Sequence, residues 1–79
     1  MRALVQRVSR ASVDVGDRRI ASIGPGLLVL LGVAREDDMA AAERLAEKVR
    51  DLRVFDDTDG RMNDPLGGRE VLCVSQFTL

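Results

Sequence analysis

The sequence predicts an α/β chain, a mixed and β-rich sheet with one amphipathic helix laid over it. Three patterns carry that expectation. Apolar and polar residues alternate near the start, residues 27–33 are apolar on both faces, and one apolar stripe at three- and four-residue spacing runs from Met39 to Leu52.

Leu4, Gln6 and Val8 alternate with Val5, Arg7 and Ser9, and Val13 and Val15 alternate with Ser12 and Asp14. A half-buried strand has this period of two because successive side chains point to opposite faces. Gly16-Asp17 suits a tight turn, since glycine takes positive φ without strain, so residues 12–15 are expected to pair back on 18–23 as a hairpin. Gly24-Pro25-Gly26 breaks the chain, and 27–33 reads as a central strand covered on both sides.

The clearest helix comes next. Asp37 and Asp38 can cap its first turn, and Met39, Ala42, Leu45, Ala46, Val49 and Leu52 share one face. Arg44, Glu47, Lys48, Arg50 and Asp51 make the opposite face charged. Residues 53–55 read as a short strand, 56–60 and 64–68 as turns, and 70 onward as the last strand, still in strand pattern at Leu79.

One domain, 1–79, is the ceiling for a chain of 79 residues, which is close to the lower limit for a single core. With 46% hydrophobic and 32% charged residues it is an ordinary globular chain, not a disordered, collagenous or coiled-coil one. The longest uncharged apolar run, 20–34, is interrupted by Gly24, Pro25, Gly26 and Gly32 and is too short to span a bilayer. Arg2, Arg7 and Arg10 stand where a secretory signal needs an apolar segment, and the single Cys73 has no disulfide partner, so a reducing cytoplasm is the expected compartment. Cys73 itself reads as a small buried hydrophobe.

A net charge of −1 excludes a bulk electrostatic grip on nucleic acid. Residues 1–20 nevertheless carry five arginines against two aspartates, so any anionic partner is expected to meet that end, although on charge alone a solvated hairpin surface is the favoured reading. Histidine is absent, which removes Ser-His-Asp and Cys-His catalysis and most zinc sites. No glycine cluster has the spacing of a phosphate-binding loop. The acidic turn 56–60 fails as a calcium loop. With Gly60 at the loop's glycine position, Phe55 falls where the first carboxylate belongs and Leu66 where the bidentate glutamate belongs. No metal and no cofactor is expected.

The last stretch, V-S-Q-F-T-L, keeps one candidate site. Val71, Cys73, Ser75, Phe77 and Leu79 point one way along the strand, and Leu72, Val74, Gln76 and Thr78 the other. An amide and a hydroxyl on one face at a strand end, beside backbone N–H groups, are neutral donors suited to a carbonyl or a developing oxyanion. A strand turning polar as it leaves the core has the same pattern.

Four blocks give that ambiguity a context: M-R-A-L-V-Q-R-V-S-R-A-S-V, I-G-P-G-L-L-V-L-L-G-V, L-R-V-F-D-D-T-D-G-R-M-N and L-C-V-S-Q-F-T-L. In this order and spacing they resemble the D-aminoacyl-tRNA deacylases along essentially the whole chain, and S-Q-F-T resembles one of that family's two signature motifs. The resemblance implies an incomplete version of the deacylase fold, a partial barrel, in a cytoplasmic homodimer with its active site at the subunit interface. It implies hydrolysis of the ester joining a D-amino acid, or glycine, to the 3′ end of tRNA, a proofreading of chirality in translation.

Carried over residue by residue, Ser75, Gln76, Phe77 and Thr78 form one wall of the aminoacyl pocket. Thr78 brings its hydroxyl near the scissile carbonyl, Gln76 joins it as a catalytic group, and Arg7 is associated with positioning the second motif. A threonine hydroxyl with no base beside it is a poor nucleophile, which favours positioning over attack for Thr78. The second motif, an Asn-x-Gly-Pro-Val-Thr-like segment, has no counterpart here, since Gly24-Pro25 lies in the block before the central strand. The chain is therefore expected to be the N-terminal part of a longer deacylase domain. The alternative is a non-catalytic remnant, a dimerising or RNA-interacting module that uses Arg2, Arg7 and Arg10.

Overall fold

A computed structural model describes residues 1–76 of the 79. Its elements are β1 (Arg2–Val8), β2 (Ala11–Val15), β3 (Arg18–Ile23), β4 (Gly26–Gly32), α1 (Met39–Asp51), β5 (Phe55–Asp56), β6 (Met62–Asp64) and β7 (Glu70–Ser75). The mixed sheet is the three-stranded β1-β4-β7, while β2-β3 and β5-β6 form separate two-stranded sheets. The described residues thus make a partial, β-rich structure and no closed barrel.

Strand β4 is central because its residues are apolar on both faces. It pairs antiparallel with β1, Val5 opposite Val29, and parallel with β7, Val29 opposite Cys73. Leu27, Val29 and Phe55 form the core at 0%, 4% and 3% exposure, with Ala3, Val5, Val49, Val54 and Leu66 packed around them. Burial of this kind stabilises each large side chain by about 2 kcal/mol. The β2-β3 hairpin turns at Gly16, whose φ of 59° is the left-handed conformation expected of Gly16-Asp17. Strand β3 then lies against β7.

Helix α1 starts at Asp38, whose carboxylate accepts from the Ala41 N–H at 2.9 Å. Asp37 does not cap. Its carboxylate takes the Met1 ammonium at 2.7 Å and the Ala34 N–H at 2.8 Å, tying the start of β1 to the loop before the helix. The short strand falls at Phe55–Asp56 rather than 53–55, and it pairs with β6, which the sequence does not predict. Three residues, Met62, Asn63 and Asp64, are too few and too poor in β propensity to stand out between two turns.

Cys73 corrects its expectation, for it is exposed. It lies on β7 at the edge of the sheet, and α1 packs through Val49 on the Leu27–Val29–Phe55 core. A groove of about 280 Å³ is left between the helix and Val29, Leu31, Val71 and Cys73. No residue of α1 is fully buried, so its apolar stripe is only partly used.

Candidate active site

The close approach of β7 to β4 sets where the last strand ends. Gly26 faces Glu70 so tightly that a Cβ there would lie 1.8 Å from the Glu70 carbonyl oxygen. The Glu70 side chain accepts from the Gly24 N–H at 3.1 Å, and its own N–H donates to the Pro25 carbonyl at 3.3 Å. From that anchor the parallel register runs Leu27 with Val71, Val29 with Cys73 and Leu31 with Ser75. Ser75 therefore ends β7 exposed, and half-buried Gln76 continues it, its N–H donating to the Leu31 carbonyl at 2.8 Å. Phe77 and Thr78 lie outside the described residues, so the structure addresses two of the four S-Q-F-T residues.

Arg7 is not beside them. It pairs with Leu27, which pairs with Val71, so its row and that of Ser75 are four residues apart along the sheet, roughly 13 Å at strand rise. The register instead brings Arg2, opposite Gly32, to the end where β7 finishes. Arg2 and Gln6 alternate on one face by period two. That Arg2 shares a sheet end with β7, one strand removed across β4, is a matter of long-range pairing, which local pattern does not carry.

The surroundings of Arg7 form a second constellation. Its guanidinium donates to both Asp56 carboxylate oxygens at 3.3 and 3.2 Å and to the Val54 carbonyl at 3.0 Å. It stands 5.7 Å from the centroid of the Phe55 ring, over which Arg69 stacks at 4.2 Å. Arg69 also donates to the carbonyls of Pro65 and Leu66 at 3.1 and 3.4 Å. An open pocket of about 420 Å³ lies among Arg7, Ser9, Phe55, Asp56 and Arg69. Two arginines against one aspartate leave it net positive. Asp56, Phe55 and Arg69 were not predicted as Arg7's partners, and the only local signal was an F-D pair following an arginine-bearing block.

The acidic turn is occupied by the backbone. Asp57 accepts from the N–H groups of Asp59 and Arg61 at 2.8 and 3.0 Å, and Gly60 closes the turn at φ 76°. These bonds, the one from Arg61 first, hold the Asp57 carboxyl below its ordinary range. Among the described residues no group of three or more candidate ligands could hold a metal ion. No helix among them is long and apolar enough to cross a membrane.

Comparison with known proteins fits this geometry to a family. The family model described as D-Tyr-tRNA(Tyr) deacylase matches residues 4–79. A D-aminoacyl-tRNA deacylase of Symbiobacterium thermophilum is 62% identical over 81 residues, covering 100% of this chain and 54% of that protein. The one from Histophilus somni (strain 2336) is 55% identical, again over 100% of this chain and 56% of its own length. A solved structure named c-Myc DNA Unwinding Element Binding Protein superposes with a TM-score of 0.94 at 48% identity, covering 100% of this chain and 55% of that one. The chain spans about half the length of the curated relatives it matches.

Proposed function

This chain belongs to the D-Tyr-tRNA(Tyr) deacylase family, and on that premise we propose that its fold serves hydrolysis of the ester joining a D-amino acid, or glycine, to the 3′ end of tRNA. The observation that carries this reading is the identity of 62% to a D-aminoacyl-tRNA deacylase across the whole chain. The strand end supports it, because the backbone bond from Gln76 to the Leu31 carbonyl holds the first two residues of S-Q-F-T against the central strand.

In this reading Ser75, Gln76 and Phe77 line the aminoacyl pocket, and Thr78 orients the scissile carbonyl. The substrate supplies much of the chemistry. An aminoacyl ester is already activated and carries a neighbouring ribose 2′-hydroxyl, so orientation and oxyanion stabilisation suffice without histidine. Arg7 lies roughly 13 Å along the sheet from Ser75, and in this reading it serves substrate binding by positioning the second motif rather than by touching the S-Q-F-T wall. The cytoplasm is the compartment where such a substrate is found.

The test is release of amino acid from D-Tyr-tRNA by the chain, compared with its Gln76→Ala/Thr78→Ala variant and with L-Tyr-tRNA. The expected result is turnover of the D-substrate that falls about 100-fold in the variant, the usual loss when oxyanion contacts are removed. Release no faster than from the variant would assign the non-catalytic reading, which the arginine excess of residues 1–20 favours as an RNA-interacting module.

A further inference from the structure

We propose that the polar pocket at the open end of the β2-β3 hairpin is a phosphodiester-binding surface that holds the backbone of an RNA acceptor arm, well away from the S-Q-F-T wall. That the RNA is an aminoacyl-tRNA rests on the deacylase reading; that the pocket takes phosphodiesters does not. The first ground is what lines it. An open pocket of about 460 Å³ lies among Arg10, Ala11, Ser12, Arg19, Ser22 and Ile23, and no carboxylate lines it. Ser12 and Ser22 are partners in the hairpin register, so their hydroxyls stand side by side on one face of the ribbon. Arginine and serine are among the side chains that contact phosphate and sugar.

The second ground is the state of the arginines. Among the described residues Arg19 donates once, from Nε to Asp14 at 3.0 Å, and its side chain stays 64% exposed. Its two Nη groups are left with the paired N–H donors that suit a phosphate. Arg10 makes no ion pair among the described residues. Other basic cavities differ. Arg7 has both Nη groups engaged by Asp56 and the Val54 carbonyl, and Arg44 and Lys48 share their cavity with Glu47 and Asp51. Charge alone suits a solvated hairpin, whereas the concavity, the paired hydroxyls and the unengaged guanidinium groups point to a ligand.

The third ground is place. Ile23 precedes Gly24, whose N–H donates to the Glu70 carboxylate at 3.1 Å, and Glu70 opens β7. Gln76 lies at the far end of that strand, roughly 20 Å away at strand rise. A stacked strand carries a phosphate about every 3.4 Å, so an RNA whose 3′ end sits at Gln76 brings phosphates about six nucleotides inward to the hairpin. That is the paired part of the arm. An A-form helix shows its phosphates and 2′-hydroxyls to a protein, and the Ser12 and Ser22 hydroxyls can donate to and accept from both.

The experiment titrates a fluorescein-labelled, non-aminoacylated RNA hairpin ending in CCA with the 79-residue chain, following anisotropy between about 50 and 200 mM salt. Arg10→Gln/Arg19→Gln is expected to weaken binding about tenfold and to reduce the slope of log affinity against log salt by about 1.5. Arg44→Gln/Lys48→Gln, on α1, removes the same charge and is expected to leave affinity within about twofold. Ser22→Lys is expected to tighten binding about threefold, a gain that misfolding cannot produce, while Thr58→Lys, between β5 and β6, leaves it unchanged. Absence of RNA binding by the wild-type chain would overturn the proposal, as would equal loss in the two double variants. If Arg10→Gln/Arg19→Gln loses binding to phosphatidylglycerol vesicles but not to the RNA, it is overturned in favour of lipid headgroups. The probe carries no ester, so binding is read without turnover. A chain that holds this RNA through Arg10 and Arg19 yet releases no D-tyrosine upholds the proposal and fails the deacylase reading.

Discussion

Gly26 and Asp37 show how single residues hold this small structure together. A methyl group at Gly26 would meet the backbone of Glu70 at 1.8 Å, and backbone does not swing aside as a flexible side chain does. Gly26→Ala is therefore expected to destabilise the chain by about 3 kcal/mol, read as a lower urea midpoint. Asp37 makes a pH-dependent contribution. The hydrogen bond from the N-terminal ammonium, then that from the Ala34 N–H, holds its carboxyl below the ordinary value. A depressed carboxyl stabilises the fold above its unfolded value near 4, and the contribution disappears as pH falls through the lower folded value. Stability of the wild-type chain is thus expected to fall below about pH 4, and that of Asp37→Asn to change less over the same interval, in urea midpoints taken from pH 2 to 6.

At the scale of elements, α1 is the one most exposed to perturbation. It has 13 residues, none fully buried, so packing adds little to a length that is marginal for an isolated helix. Its start rests on the bond from Ala41 to Asp38. Asp38→Ala is expected to cost about 1 kcal/mol and to lower helical ellipticity, while Asp17→Ala, in the β2-β3 turn, leaves ellipticity unchanged. The helix was legible from Met39, Ala42, Leu45 and Val49 because a 3.6-residue period survives in local sequence. Strand β6 was not legible, because three polar-leaning residues become a strand only when Phe55 and Asp56 lie opposite them.

The whole molecule is a slab with a core of few residues, and its shape has a measurable consequence. Small-angle scattering at low concentration is expected to give a radius of gyration near 14 Å, in keeping with the 13.8 Å of the structure, and not the roughly 12 Å of a compact chain this long. A value of about 12 Å would mean that the apolar groove closes on itself in solution. The open shape follows from β7, which pairs with β4 on one side and offers Val71 and Cys73 uncovered above.

The sequence by itself determined the element types other than β6, the centrality of β4, the hairpin at Gly16, the absence of histidine and, through four ordered blocks, the family. These are local properties, written in periods of 2 and 3.6 residues and in contiguous motifs. Only the tertiary structure decided that β7 runs parallel to β4, that Cys73 faces an open groove, that Asp37 holds the N-terminus, and that Arg7 pairs with Asp56 four rows away from Ser75. Each of these joins residues distant along the chain. Their register comes from backbone pairing and from the single glycine, Gly26, that lets two strands approach, and no local pattern encodes it.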